Sequence, residues 1–261
     1  MQDYSTHLKP EVRAYLDRIG YEGPLDGSVQ ALVQLQECHL HSVPYENLDI
    51  LIRKPLSLEI EDLMDKIVVR RRGGYCFELN ALFGWLLREL GYPVTDLMSR
   101  FWRDASDLPP KRRHQVLKVE AEGAFYLCDV GVGGIVPRQP IQLVEGLEHQ
   151  QGDECYRLER DDYYGWFLCE LKRGQWNRLY SFTEEPQLPK DYITTTFWCE
   201  NAPDSIFTKD AIVAIRTKAG RNTLAGKEFR IFTAAGVQVF TPETTEAYNE
   251  ALSTYFGIRM D

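Results

Sequence analysis

RRGGYCFELN, residues 71–80, carries the strongest structural signal of this chain, since it sets a cysteine between a Gly-Gly pair and an amphipathic segment. After Cys76 the apolar residues recur at near-helical spacing as far as Leu90. Gly91 and Pro93 then end the pattern, so the sequence predicts a helix that begins at Cys76. The unpaired amides and the dipole of a helix N-terminus favour a thiolate, and we therefore expect a lowered pKa for this thiol.

Composition and charge narrow the classes of protein to which the chain can belong. Its 261 residues suffice for one large domain or for two to three smaller units. The hydrophobic content of 44% is that of a folded globular protein, and no apolar run approaches the length of a membrane span. Residues 1–13 lack the apolar core of a signal peptide, so we expect a cytoplasmic protein without membrane contact. A net charge of −9 argues against a nucleic-acid partner.

The cysteines indicate free thiols rather than a disulfide framework. All six are widely spread along the sequence and include no CxxC pair. Cys38, His39 and His41 lie close together, but no second group of ligands completes a metal site. We therefore predict a protein without disulfides and without a bound metal.

The order of the predicted elements points to an α+β fold. Patterns typical of helices fill the first ninety residues, and short alternating or apolar runs follow as far as about Phe182, which predicts a mostly antiparallel sheet or barrel. After the proline-rich stretch 184–192, three further strands are predicted, and then a last helix with Thr241 as its cap and Pro242 at its first position. The predicted divisions are residues 1–92, 93–188 and 189–261, in the order helices, sheet, then sheet plus helix.

Two residues downstream of Cys76 have the chemistry that would activate a thiol. His114 lies where a proline-containing loop enters a predicted strand, and Asp129 follows the next strand, one hairpin away. A carboxylate there can hold an imidazole in its useful tautomer, so the three residues together predict a thiol acyl-transfer triad. Each residue alone also allows a structural interpretation: a buried apolar cysteine, a surface histidine, or an aspartate that caps the backbone.

Four stretches resemble the arylamine N-acetyltransferase family in their order and spacing. They are HLHSVPYENLDI at 39–50, RRGGYCFELN at 71–80, RHQVLKV at 113–119 and YLCDVGVG at 126–133. The resemblance runs from about residue 10 to the C-terminal LSTYFGI and includes DSIFT at 204–208. Its most specific element is the RGGxCxExN pattern around Cys76.

The resemblance implies an N-terminal helical bundle, a central antiparallel β-barrel and a C-terminal α/β lid, with a core similar to papain-like and transglutaminase-like thiol enzymes. It implies that Cys76 is the acetylated nucleophile, His114 the base and Asp129 the orienting carboxylate. Acetyl coenzyme A would be the donor of a ping-pong cycle. Arylamines, arylhydrazines or N-hydroxyarylamines would be the acceptors, in the metabolism of foreign compounds.

The resemblance also suggests roles for neighbouring residues. Tyr45 and Val132 would line the acceptor pocket, although Tyr45 also suits an ordinary core position. The basic run Lys111, Arg112 and Arg113 is our candidate for binding the phosphates of coenzyme A. A buried polar network that positions the cysteine loop is expected from Glu46, Arg72, Glu78 and Asn80.

Two other functions remain open from the sequence. A thiol amidase or a transglutaminase-like hydrolase would use the same three residues on the same scaffold. A binding module without catalysis would have no need of all three. The sequence leaves the oligomeric state open between a monomer and a homodimer.

Overall fold

Helices dominate the first ninety residues of the protein and return near its C-terminus. The computed structural model describes residues 8–103, 109–134 and 136–260. Its α-helices are α1 Pro10–Ile19, α2 Val29–Ser42, α3 Leu48–Leu51, α4 Ile60–Leu63, α5 Cys76–Glu89, α6 Asp191–Asn201 and α7 Thr245–Phe256. A π-helical turn, Met64–Val69, continues α4, and a short 3₁₀ helix spans Ile206–Thr208. The helix that the sequence predicts at Cys76 is confirmed as α5.

The strands form two sheets. They are β1 Tyr45–Glu46, β2 Val94–Phe101, β3 Arg112–Ala121, β4 Ala124–Cys128, β5 Ile141–Gln142, β6 His149–Gln151, β7 Glu154–Asp161, β8 Gly165–Lys172, β9 Gln175–Phe182, β10 Ile212–Thr217, β11 Gly220–Ala225, β12 Glu228–Thr233 and β13 Gly236–Phe240. One sheet has eight strands in the order β5-β4-β3-β2-β9-β8-β7-β6, and the other has five in the order β1-β10-β11-β12-β13.

The eight-stranded antiparallel sheet curls into a nearly closed barrel. Just after β5, Glu145 forms a bridge with Leu158 of β7, and the amide of Gly146 donates to the carbonyl oxygen of Leu158 over 2.8 Å. The pairing brings the two ends of the sheet together. The predicted antiparallel sheet or barrel in this part of the chain is confirmed.

Helix α5 packs its apolar side against the barrel. Leu79, Leu82, Phe83 and Leu86 of α5 are fully buried in one cluster with Leu117 of β3. Burial of such side chains stabilises the fold by roughly 1.5–3 kcal/mol each. The packing holds the first residue of α5, Cys76, close to the start of β3. The cluster draws its residues from the helices and from the barrel alike, and the predicted division at residue 92 stays a prediction.

The five-stranded sheet joins distant parts of the chain. Its edge strand β1 comes from the helical region and pairs with β10, so that Tyr45 lies opposite Ala214. On one face of the sheet, Val213 of β10 and Phe229 of β12 pack with Phe256 of α7 in a second apolar cluster. The other face turns toward the cavity described below.

The C-terminal third departs from the sequence predictions at three places. Helix α6 was not predicted, since its run of threonines and aromatic residues has weak helix propensity, and burial of Tyr192, Thr196 and Cys199 holds it in place. Four strands follow instead of three. The last helix begins at Thr245, because the hydroxyl of Thr244 accepts from the amide of Ala247 over 3.2 Å, so the predicted cap at residue 241 is wrong.

No helix that the described ranges form is both long and apolar enough to cross a membrane.

Candidate active site

The Gly-Gly turn fixes the loop that leads into Cys76. The amide of Glu46 donates to the carbonyl oxygen of Gly74 over 2.9 Å, so this loop runs beside β1. A Cβ atom on Gly73 would collide with the carbonyl oxygen of Pro44, and only glycine permits so close an approach. Glu78 accepts from the amide of Tyr75 over 2.9 Å and caps the helix. Cys76 therefore begins α5 in a defined position.

The Cys76 thiol lies beside the segment that carries His114. Its Sγ atom is 3.7 Å from the carbonyl oxygen of Arg113 and is buried. Burial raises the pKa of the Cys76 thiol well above its ordinary value, and Cys199 and Asp129 add to the rise. The prediction of a lowered pKa from the helix end is therefore wrong for this buried site.

His114 and Asp129 contact each other directly. His114 lies near the start of β3 and Asp129 directly follows β4, its antiparallel neighbour. Nε2 of the imidazole is 2.7 Å from Oδ2 of the carboxylate, and both side chains are buried. The ring also packs between Phe101 and Tyr180, with centroids 5.8 Å and 5.4 Å away. These contacts fix the orientation of the ring and leave Nδ1 free of the carboxylate.

Asn80, one turn after Cys76, links α5 to both strands. Its Nδ2 donates to Oδ1 of Asp129 over 2.9 Å and to the carbonyl oxygen of Gln115 over 2.7 Å. Its Oδ1 accepts from the amide of Val130 over 3.0 Å. Gly131 then passes so close that a Cβ atom there would collide with Nδ2 of Asn80. One buried amide thus sets the distance between α5 and the carboxylate.

Charged side chains form a separate buried network behind the cysteine loop. Arg72 donates to both oxygens of Glu46, over 2.9 and 3.0 Å, and to Asp49 over 3.0 Å. Lys66 bridges Asp49 and Glu78 over 2.9 and 2.8 Å. Of the four predicted network residues, Glu46, Arg72 and Glu78 are joined here through Asp49 and Lys66, two residues that sequence reasoning missed. The fourth, Asn80, is hydrogen-bonded to Asp129 instead.

Cys76 and His114 line one cavity of about 450 Å³. Tyr45 and Val132 line it as well, at the positions where an acceptor pocket was predicted. The remaining lining residues are Phe101, Arg103, Arg113, Gly131, Gly133, Gly134, Ile206, Phe207, Ile212, Ala214, Arg221, Thr223, Arg230 and Phe232. The walls are mainly apolar and are interrupted by guanidinium groups.

The basic triplet divides between the cavity and the surface. Arg113 lines the cavity, and its guanidinium lies 5.6 Å from the centre of the Phe207 ring. Lys111 and Arg112 do not belong to the lining; they lie 3.5 Å from Asp204 and from Glu185, respectively. Three further arginines line the cavity and were missed by sequence reasoning, at positions 103, 221 and 230. Strand alternation alone does not show which face of a sheet meets a cavity.

Comparison with known proteins assigns the family. A family profile described as N-acetyltransferase matches residues 28–261. The arylamine N-acetyltransferase of Mycobacterium tuberculosis is 36% identical over 255 residues, which cover 96% of this chain and 90% of that protein. This chain belongs to the arylamine N-acetyltransferase family. The resemblance found in the sequence is thereby confirmed.

Solved structures of this family share the whole fold. The arylamine N-acetyltransferase of Mycobacterium marinum in complex with CoA is 36% identical, with a TM-score of 0.87 over 95% of this chain and 92% of that one. The enzyme of Salmonella typhimurium, at 29% identity, reaches a TM-score of 0.91 over 97% of this chain and 92% of that one. The α+β architecture with its nearly closed barrel matches these family structures.

Proposed function

We propose that this chain transfers an acetyl group from acetyl coenzyme A to the nitrogen of arylamines, arylhydrazines or N-hydroxyarylamines, in the metabolism of foreign compounds. Cys76 is the nucleophile, His114 the base and Asp129 the orienting carboxylate. The observation that carries the proposal is the contact of 2.7 Å between His114 and Asp129 behind a cavity that Cys76 and His114 both line. The arrangement is similar to that of papain-like and transglutaminase-like thiol enzymes.

In the first half of the reaction, Cys76 takes the acetyl group. Because burial raises the pKa of the thiol, its proton must pass to a base as Sγ attacks the carbonyl carbon. Asp129 occupies Nε2 of His114, which leaves Nδ1 to receive that proton. The amides of the first helical turn have no acceptor within α5, so the amide of Cys76 is placed to stabilise the oxyanion. Coenzyme A leaves as the thiol and carries the proton away.

In the second half, the acceptor enters the emptied end of the cavity. Its nitrogen attacks the thioester carbonyl, and His114 takes the proton that the nitrogen loses. The amide forms as the C–S bond breaks, and the Cys76 thiol is restored. Aromatic amines suit this step because they are neutral nucleophiles near pH 7. Tyr45 and Val132 supply apolar walls that exclude water from the thioester.

The donor fits the residues that the structure places at the cavity. Coenzyme A carries several phosphate charges, and guanidinium groups are the side chains best suited to bind phosphate. Arg113 is the member of the predicted triplet that faces the cavity, so it is the one that structural contacts support. The M. marinum family member is solved in complex with CoA, which supports the same donor here. A phosphate-binding role for Lys111 and Arg112, a cytoplasmic location and the division into three domains stay predictions.

Intact-protein mass spectrometry tests the proposal. Acetyl coenzyme A is mixed with the wild type and with the variants Cys76→Ser and Cys199→Ser. We expect a gain of one acetyl group in the wild type and in Cys199→Ser, because Cys199 does not line the cavity, and no gain in Cys76→Ser.

Addition of an arylamine or arylhydrazine should then remove the adduct and yield the acetylated amine. An adduct that survives in Cys76→Ser would contradict the role of this thiol. Discharge to acetate at the same rate with and without an amine would indicate a hydrolase instead.

A further inference from the structure

One row of cross-strand neighbours leads away from the cysteine across the five-stranded sheet. Tyr45 lies opposite Ala214, Ala214 opposite Thr223, and Thr223 opposite Arg230. Residues opposite each other on antiparallel strands share a face and lie about 5 Å apart, so the row is a continuous strip. All four of these residues line the cavity. The strip begins with aromatic and small groups, continues with a hydroxyl and ends with a cation.

The neighbouring row places a second cation beside this strip. Arg221 lies opposite Phe232, and its guanidinium is 4.0 Å from the centre of that ring. Both side chains line the cavity. Stacking on an aromatic face holds a guanidinium flat while its N–H groups stay available to a ligand. Arg221 is therefore restrained before any ligand arrives.

The nearby carboxylates of Glu154 and Glu170 act on the charge of Arg221 without forming an ion pair with it. Within residues 8–103, 109–134 and 136–260 no ion pair is formed by its guanidinium, whereas Arg216 on the neighbouring strand is paired with Glu154 over 3.0 Å. Partial burial lowers the pKa of Arg221, and the positive charge of Arg216 lowers it further. A guanidinium in this position gains more from an anionic ligand than one on the open surface does.

Arg230 is paired with a neighbour on its own strand. Its Nε donates to Glu228 over 2.6 Å, and about half of each side chain is exposed. Exposed pairs of this kind contribute little to stability, so a phosphate can compete for the guanidinium.

We propose that Arg221 and Arg230 bind the diphosphate of coenzyme A, with the pantetheine arm lying along the strip past Thr223 toward Cys76. The proposal rests on the proposed function, since it assigns a subsite for its donor. It also moves the main phosphate contact from the surface residues Lys111 and Arg112 to the five-stranded sheet. The strip that leads from the cation to the nucleophile matches a donor whose charged and reactive ends are joined by an extended neutral chain.

The test compares three donors that carry successively more of coenzyme A. S-acetylpantetheine lacks the diphosphate and the adenosine, acetyl-dephospho-coenzyme A has both, and acetyl coenzyme A has the ribose phosphate as well. The rate of Cys76 acetylation is measured below saturation for the wild type, Arg221→Ala, Arg221→Lys and Arg230→Ala. Arg13→Ala is the matched control. It removes the same charge from an exposed position on α1, away from the cavity.

For Arg221→Ala we expect a loss of at least about tenfold with the two donors that carry the diphosphate, the size expected for a lost charge-assisted hydrogen bond. S-acetylpantetheine should react with this variant within about twofold of its wild-type rate, since it has no charge for the guanidinium to bind. Arg221→Lys should recover part of the loss, Arg230→Ala should show a smaller loss, and Arg13→Ala should show none. Isothermal titration with coenzyme A and with pantetheine gives the same comparison without catalysis.

Equal losses with all three donors would overturn the proposal, because they would indicate a merely structural role. Unchanged rates would overturn it as well. An effect confined to acetyl coenzyme A would overturn the diphosphate assignment, because it would place Arg221 at the ribose phosphate instead. If Arg221→Ala fails to fold, the exposed Arg230→Ala variant decides. A wild type that no donor acetylates would refute the proposed function, while the titrations would still test the subsite.

Discussion

Oδ2 of Asp129 lies 2.7 Å from Nε2 of His114, while Oδ1 of the same carboxylate is held by Asn80 and by the amide of Gly131. Both oxygens are thus occupied, and neither can turn away from the imidazole. The carboxylate acts as a fixed support for the ring, and the ring in turn has one nitrogen left for chemistry. The geometry of the proposed reaction therefore depends on the side chains around Asp129 as much as on Asp129 itself.

Asp129→Asn should keep the shape of the site and remove the negative charge that orients His114. We expect the rate of Cys76 acetylation to fall roughly a thousandfold or more, as the same change does in other triads. Rapid chemical quench followed by mass spectrometry gives this rate. Asp153→Asn is the control, because Asp153 is exposed and pairs with Arg138 away from the cavity. Equal rates for the wild type and Asp129→Asn would remove Asp129 from the mechanism.

Gly131→Ala should disturb the site without changing any polar group. The added Cβ atom would collide with Nδ2 of Asn80 and come within 2.9 Å of Cα of Cys76. Asn80 would have to move and give up its bond to Asp129, so we expect a loss of about 1–3 kcal/mol in the free energy of unfolding. Acetylation of Cys76 should also become at least about tenfold slower.

Gly134→Ala is the matched control for stability. An added Cβ atom there would meet its nearest neighbour, Cδ of Arg221, at 3.8 Å, which is an ordinary contact. Urea unfolding of both variants should therefore separate them clearly. Similar unfolding free energies for the two variants would show that the approach of residue 131 to α5 is not tight.

Local sequence patterns predicted much of the fold. The start of α5 at Cys76, the barrel strands and the order of the elements all follow from hydrophobic spacing and from turn residues nearby in sequence. The placement of His114 and Asp129 on adjacent strands likewise needs only one hairpin. Their catalytic roles stay predictions.

Contacts between residues far apart in sequence could not be predicted from local sequence patterns. Helix α6 forms from residues of weak helix propensity because its buried side chains fill a gap beside Cys76 and Phe77. The pairing of β1 with β10 joins residues far apart in sequence, and that pairing is what turns Arg221 and Arg230 toward the cavity. The same holds for Lys66, whose partners Asp49 and Glu78 lie on other helices.

Lys66→Met should destabilise the fold strongly. The ammonium group is buried between Asp49 and Glu78, and its removal takes the counter-ion from Glu78 and leaves Asp49 with Arg72 alone. Breaking a buried pair of this kind costs about 3–5 kcal/mol. Lys9→Met is the control, since its pair with Glu89 is largely exposed and should be worth less than about 1 kcal/mol. Chemical denaturation of both variants measures the difference, and equal losses would show that the buried network adds little to stability.

His39 should make the protein less stable in mild acid. Its Nδ1 is 2.8 Å from the hydroxyl of Tyr15 in the core, and burial, assisted by the charge of Arg18, lowers its pKa from 6.5 to about 3. Because the folded pKa lies below the unfolded one, the unfolded chain binds the proton first as the pH falls. The free energy of unfolding therefore loses about 1.4 kcal/mol for each pH unit from about 6.5 down to about 3.

The variant His39→Gln isolates this contribution, since glutamine does not titrate. We expect it to be less stable than the wild type at pH 7, because the contact with Tyr15 is weakened, but to lose less stability on acidification. His41 and His149, whose pKa values are also lowered by burial, remain in both proteins and cancel in the comparison. Urea unfolding between pH 7 and pH 4.5 supplies the two slopes. Parallel slopes would mean that His39 is protonated in the folded protein, and the buried contact with Tyr15 would then have to be open to water.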